Sequence, residues 1–288
     1  MSKLKKALQR AHEARGEAKN FLNPPKAPLH PLLKKHGIDI KPADQKKIDI
    51  KYSRTKVERL DQTILRRNKV LSLFKENQTT DQVDNLRTQI LDKLEQIGGN
   101  SLLVTSAHPG EGKTFISINL AVSIAQELDK TVLLIDTDLR HPWKYHYDFA
   151  GDFWGFKADK GLADYLTKDL DIADLLINPG IEKLTLLPAG GYLPNSAELL
   201  SSNRMAQFIH EVKSRYGSDR ICIFDCPALL RYSDPLVISD LVDGILLVVE
   251  AERTTPDEMK KVVKLLEGKN VLGTVFNKSK EQHKNDYV

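Results

Sequence analysis

The chain has 288 residues, enough for one or two domains with a sizeable core, and its hydrophobic content of 41% is ordinary for a soluble fold. No apolar run reaches the roughly 18–20 residues of a membrane helix, and the start Met-Ser-Lys-Leu-Lys-Lys lacks the apolar centre of a secretory signal. Two cysteines, Cys222 and Cys226, cannot build a disulfide framework or a four-ligand zinc site, so the expected location is the cytoplasm. The net charge of +4 is unevenly spread: Met1–Asn100 holds 22 Lys/Arg against 12 Asp/Glu, and the remainder holds 21 against 27. A basic arm therefore precedes a mildly acidic body. Such an arm suits anionic lipid, nucleic acid or an acidic protein, and it equally suits a solvated linker.

In chain order, Leu4, Ala7, Leu8, Ala11 and Ala14 fall at helical spacing among Lys and Arg, which predicts a basic amphipathic helix from Ser2 to about Lys19. Its stripe is mostly alanine, so any contact with a membrane surface would be weak. Pro24, Pro25, Pro28, Pro31 and Pro42 follow, and proline lacks the amide donor that helix or sheet needs; 1–47 is read as helix plus linker. Helical periodicity over Ser53–Lys75 and Thr80–Ile97 predicts a helical extension across 48–97, stopped by Gly98-Gly99.

The pattern changes from residue 98. Short apolar runs at Ser101–Ser106, Thr131–Asp136, Leu184–Pro188, Ile221–Asp225, Gly244–Glu250 and Val271–Phe276 alternate with helical stretches. Those stretches lie near Lys113–Leu128, Asp171–Ile177, Met205–Tyr216 and Pro256–Leu266. Several runs are apolar without alternation, as in strands covered on both faces. The expected fold over 98–278 is α/β, a doubly wound and mostly parallel sheet of the P-loop NTPase type, with 279–288 as a flexible tail.

After the first predicted strand comes Ala107-His108-Pro109-Gly110-Glu111-Gly112-Lys113-Thr114, then Phe115 and a helix. Phosphates need several converging backbone N–H donors, and glycine lets the backbone approach that closely. Pro109 to Phe115 are therefore candidate nucleotide contacts, with Lys113 reaching the β- and γ-phosphates and the Thr114 hydroxyl ligating Mg²⁺. The second strand ends in Asp136-Thr137-Asp138-Leu139-Arg140, and the Ile221–Phe224 strand ends in Asp225. Ligands of a parallel sheet sit beyond the carboxyl ends of its strands, so all three Asp are expected on the rim that carries the phosphate loop. Asp225 suits metal coordination through water, Asp136 suits proton acceptance and metal contact, and Asp138 suits orientation of metal waters. Arg140 would offset phosphate charge. Strand-end Asp residues also form turns and caps. His108 is read as a surface-loop residue. The aromatic group Phe149, Phe153 and Trp154 is read as packing beside the site.

Together these motifs resemble the bacterial tyrosine kinases of exopolysaccharide and capsule synthesis, over about Ile48 to Lys278. Ser106 to Thr114 resembles their Walker A, Val132 to Pro142 the extra Walker A′ motif, and Ile221 to Pro227 their Walker B. Gly161–Leu166, Leu187–Gly190 and Pro194–Leu200 are similar to secondary signatures of that family. The resemblance implies an ATP- and Mg²⁺-dependent protein-tyrosine autokinase with catalytic Lys113, Asp136, Asp138 and Asp225. It further implies an adenine contact at Asn277 and a membrane partner of the chain-length-determinant type, with no nucleic acid expected. Recruitment to the inner face of the membrane would follow from that partner. Two departures stand out. The tail holds one tyrosine, Tyr287, where the family has a cluster that it phosphorylates. The helix that carries Glu-x-x-Arg-x-x-Arg for subunit contacts in that family reads Asp81, Asp84 and Arg87, so the homo-oligomer that the resemblance implies is either absent or replaced by assembly with a different partner chain. A regulatory ATPase without kinase activity and a Min/Par-type partitioning ATPase are the competing expectations; His108 stands where the latter carries a signature lysine.

Overall fold

β-branched and leucine-rich runs, apolar at every position, can only be satisfied by burial on both faces, and the sheet of this protein meets that demand. The computed structural model describes residues 55–59, 61–74, 78–140, 149–168, 170–214 and 219–280. The strands are β1 (Lys56–Val57), β2 (Ser101–Ser106), β3 (Thr131–Asp136), β4 (Ile177–Asn178), β5 (Leu184–Leu187), β6 (Arg220–Asp225), β7 (Gly244–Glu250) and β8 (Val271–Asn277). Their spatial order is β1-β4-β5-β3-β6-β2-β7-β8, parallel throughout except where β4 meets β5. The α/β fold with a mostly parallel sheet is thus present.

Successive strand residues alternate between two apolar layers. Leu103, Leu133, Ile135 and Phe224 face one layer, which α6 (Asn203–Ser214) covers with Met205, Phe208 and Ile209. Leu102, Val104 and Leu134 face the other, covered by α3 (Lys113–Ala125) through Ile116, Leu120 and Ile124 and by α2 (Gln78–Gln96) through Ile90 and Leu94. Burial of each such side chain contributes about 1.5–3 kcal/mol. Gly98 and Gly99 end α2 by donating to the Glu95 and Leu94 carbonyls. Helix α8 (Pro256–Leu265) starts with a capping box in which Thr255 and Glu258 bond each other reciprocally.

Two helical expectations are corrected. Over 53–75 the described residues form strand β1, helix α1 (Gln62–Arg67, capped by Asp61) and a 3₁₀ turn Leu71–Leu73, because β1 finds a partner in β4 and Lys69 turns left-handed after α1. Over 171–177 there is one 3₁₀ turn, Ile172–Asp174, followed by β4, since sheet pairing outcompetes a short helix there. Short helices α4 (Leu162–Thr167), α5 (Ser196–Leu200) and α7 (Asp234–Ser239) were not anticipated. The arm over 1–47 and the tail with Tyr287 lie outside the described residues.

Asp84 and Arg87 bind within the chain. Asp84 Oδ1 accepts from Ser123 Oγ at 2.5 Å and from Arg87 at 3.1 Å, and Arg87 pairs with Glu127 at 2.8 Å. Both residues fasten α2 to α3.

At the opposite end of the sheet from the strand tips, Asp243 ties three elements together. Its Oδ2 accepts from the Asn100 and Ser101 amides at 2.9 and 3.0 Å and from Ser101 Oγ at 2.6 Å, while Oδ1 accepts from Lys213 at 2.6 Å. Burial alone would raise this carboxyl, but the bonds from Lys213, Ser101 and Asn100 outweigh it and hold it below its ordinary value. Asp243→Ala should lower stability by about 2 kcal/mol in urea unfolding, because buried amides lose a charged acceptor. A lowered carboxyl contributes above its unfolded value of 3.8 and loses that contribution as pH falls further, so the deficit should shrink in acid. An unchanged midpoint at pH 7 would contradict the clamp.

Candidate active site

The phosphate loop is the turn between β2 and α3, and it is shaped by its own side chains. Gly112 has φ +95°, and a Cβ there would lie 2.0 Å from Asn277 Nδ2, so only glycine fits. Glu111 is fully buried; its carboxylate accepts from the His108 amide at 2.8 Å and from the Thr254 hydroxyl. The Glu111 carbonyl accepts from Asn277 Nδ2 at 2.8 Å, and the Gly110 carbonyl accepts from Lys278 Nζ at 2.7 Å. The end of β8 and the segment after β7 thus grip the loop from outside. His108 pairs with Glu258 of α8 at 2.9 Å. The loop's last turn leads into α3, whose first two residues are Lys113 and Thr114.

The strand order places β6 between β2 and β3, and register puts Asp136 directly beside Asp225. Both are buried, 8% and 3% exposed. The Thr137 amide and hydroxyl both donate to the Asp225 carbonyl, at 2.9 and 2.7 Å, which locks the two strand ends together. Ser117 Oγ donates to Asp225 Oδ1 at 3.1 Å, and the Asp138 amide donates to Asp136 Oδ1 at 3.0 Å.

Burial pushes the Asp225 carboxyl up to about 6, against the pull of Lys113 and of hydrogen bonds from Thr114 and Ser117. Asp136 is raised well above its ordinary value, first by burial and then by the charges of Asp225 and Asp138. Lys113 draws both carboxyls back down, and hydrogen bonds from Thr114 and Ser117 do the same for Asp225.

Above these groups opens a cleft of about 980 Å³ with Lys113, Thr114, Asp136, Asp138 and Asp225 in its lining. Pro109, Gly110, Gly112 and Phe115 border the same cleft. Beside it lies a second recess of about 550 Å³, where Asn277 sits with Gly112, Phe115, Asn68 and Phe153. Two candidates lie elsewhere. Glu111 turns inward to shape the loop, and Arg140 donates to the buried Asp234 at 3.0 Å, so neither borders the main cleft. Among the described residues no group of three or more His, Cys, Asp and Glu is arranged to hold a metal ion.

The far wall of the cleft comes from Pro188, Ala189 and Gly190. Their carbonyls receive the start of α4: Leu162 donates to Pro188 and Ala163 to Ala189, each at 2.8 Å. A Cβ on Gly161 would lie 2.0 Å from the Pro188 oxygen, which is why glycine precedes that helix. Sequence reasoning missed Lys157, Tyr192, Arg231 and Arg253 in the lining. They sit on loops with no periodic pattern, and only chain topology brings them together. Phe149 and Trp154 are buried within a π-helical turn Phe149–Trp154, and Phe149 and Phe153 both border the cleft.

Residues 101–269 match the family model described as an AAA domain. Tyrosine-protein kinase YwqD of Bacillus subtilis is 30% identical over 225 residues, covering 77% of this chain and 91% of that protein. Tyrosine-protein kinase CpsD of Streptococcus agalactiae is 32% identical over 182 residues, covering 62% and 75%. The chain belongs to the bacterial tyrosine-protein kinase family. The solved kinase domain of Escherichia coli tyrosine kinase ETK superposes with a TM-score of 0.65 at 28% identity, covering 76% of this chain and 84% of that one. Matched relatives from Klebsiella pneumoniae and Ralstonia are much longer: the chain spans 27% and 25% of their length. The relatives of which the chain covers most of the length are the shorter ones.

The raised carboxyl has a measurable consequence. Asp225 ionises near 3.8 when unfolded and near 6 when native, so the native state resists ionisation. Its contribution to stability therefore falls as pH rises from about 4 to about 6 and stays low above. Without nucleotide, Asp225→Asn should raise stability at pH 7.5 by about 1–3 kcal/mol and flatten the decline above pH 4. Thermal melts of both proteins from pH 4 to 8 test this; a variant that melts lower at pH 7.5 would contradict it.

Proposed function

We propose that the chain is an ATP-dependent protein-tyrosine kinase that acts on its own tyrosines and regulates polymerisation or export of a bacterial exopolysaccharide or capsule. The supporting observation is the convergence of Lys113, Thr114, Asp136 and Asp225 on one cleft beside a phosphate-binding turn. Family membership supplies the choice of reaction, which geometry alone does not.

Mg²⁺ fits this site. Two buried carboxylates side by side in register, both raised, lack a cation large enough in charge to satisfy them, and the Thr114 hydroxyl adjoins them. Thr114, Asp136 and Asp225 would hold the ion, with phosphate oxygens and water completing its shell. When bound, Mg²⁺ supplies positive charge to the phosphates and to the carboxylate pair. The loop amides and Lys113 hold the β- and γ-phosphates in line with an incoming tyrosine oxygen. Asp136 accepts the proton from that hydroxyl as the new O–P bond forms and the bond to ADP breaks. Asp138, whose amide donates to Asp136, would help to orient water around the ion. Asn277 would meet the adenine edge in the recess beside Phe115, using the carbonyl end of its amide.

The acceptor in this reading is Tyr287. A membrane protein of the chain-length-determinant type would hold the kinase at the inner face of the cell membrane, with the basic stretch Met1–Asn100 adding weak attraction to anionic lipid. With Asp84 and Arg87 engaged inside the chain, a homo-oligomer would need contacts other than that helix motif. A partitioning ATPase is disfavoured because His108 is held by Glu258 of its own chain.

The test is incubation of purified protein with Mg-ATP, alone and with the cytoplasmic segments of its membrane partner, followed by mass spectrometry for phosphotyrosine. Phosphotyrosine at Tyr287 is expected. It should vanish in Tyr287→Phe with ATP hydrolysis intact, and Lys113→Met should lose at least about 10²-fold in turnover. Hydrolysis without any phosphotyrosine would replace the kinase reading with that of a regulatory ATPase.

A further inference from the structure

Phosphoryl transfer spreads negative charge over the equatorial oxygens of the moving group, and the floor of this cleft is itself acidic. Lys113 is the one cation that the phosphate loop provides there. Arg140, the sequence's candidate for a second, is committed to Asp234. Lys157 and Arg253 also border the cleft, and Arg253 is held by Glu250 at 2.8 Å.

Arg231 is different. It lies on the loop after β6, it borders the same cleft as Lys113 and the three Asp, and among the described residues its side chain meets the Tyr232 ring, 5.5 Å to the centroid, rather than a carboxylate. The loop beneath it is fixed to the phosphate loop itself: the Leu229 amide donates to the Ser106 carbonyl at 2.8 Å and the Leu230 amide to the Ala107 carbonyl at 3.2 Å. Arg231 is then turned back by its own amide, which donates to Ala228 at 3.2 Å. The backbone beneath Arg231 is thus tied to the phosphate loop, and its exposed guanidinium carries a planar fork that matches two phosphoryl oxygens at once.

We propose that Arg231 contacts the transferring γ-phosphoryl group from within the same chain and stabilises the charge that develops during transfer. This rests on the nucleotide site proposed above and adds to it a residue outside the three Walker-like motifs.

The experiment compares wild type, Arg231→Ala and Arg231→Lys by calorimetry with Mg-ADP alone and with Mg-ADP plus aluminium fluoride, which mimics the moving phosphoryl group. Arg231→Ala should bind the aluminium fluoride complex at least about tenfold more weakly, keep Mg-ADP affinity within about twofold, and lose about 10²-fold in ATP turnover at unchanged KM. Arg231→Lys should recover part of the loss, since a point charge replaces the fork. Equal loss for both ligands, or no loss for either, overturns the proposal. Loss of phosphotyrosine with ATP hydrolysis and analogue binding intact also overturns it, and places Arg231 on an acidic stretch of the acceptor instead. Failure of the kinase reading looks different: wild type would hydrolyse ATP and bind the analogue yet form no phosphotyrosine, while the Arg231 comparison still reads out.

Discussion

Two carboxylates forced side by side at the ends of neighbouring strands are the constraint on which the rest of this structure turns. Asp136 and Asp225 share a register position, both buried, and Thr137 ties their strand ends through two bonds to one carbonyl. Like charges so placed cannot both ionise at low cost. The fold sets Lys113, Thr114 and Ser117 against the pair, yet both carboxyls stay raised. Stored electrostatic strain of this kind destabilises the empty protein and is relieved only by something positively charged.

The sheet order explains why the strain falls at this spot. β6 lies between β2 and β3, so the strand that carries Asp225 stands between the phosphate loop and the strand that carries Asp136. Were β3 next to β2, Asp136 would crowd the loop and Asp225 would lie a strand away. The same order leaves β7 and β8 on the far side of β2, where Asn277, Lys278 and Thr254 brace the loop from behind. Acidic residues thus lie on one flank of the loop and structural donors on the other. That is the separation a triphosphate cradle needs: rigid behind, charged in front.

Much of this was legible in sequence. The six long strands, the loop and the three strand-end Asp follow from apolar runs without alternation, from Gly-Lys-Thr before a helix, and from the rule that ligands gather at carboxyl ends. What was hidden has physical causes. β1 and β4 are two-residue strands whose pairing depends on partners far away in the chain, and no local period marks them. Glu111 and Arg140 stand at positions that read as nucleotide contacts, yet tertiary partners, Thr254 and Asp234, take their charges. Arg231 and Lys157 carry no pattern at all; a lone cation on a loop becomes part of a site only when topology brings that loop over the floor.

Asp84 and Arg87 show the same rule acting on assembly rather than chemistry. A helix face with alternating charges reads as a surface for another subunit, but here the alternation closes on Ser123 of the adjacent helix and on Glu127 just beyond its end. The reversal at Asp84 is what makes that closure work: an arginine there would face Arg87 across one turn and leave Ser123 without a charged acceptor. The pair therefore stiffens the contact between α2 and α3, and α3 is the helix whose first turn presents Lys113 and Thr114. The reversed charge thus steadies the phosphate end of the site from within.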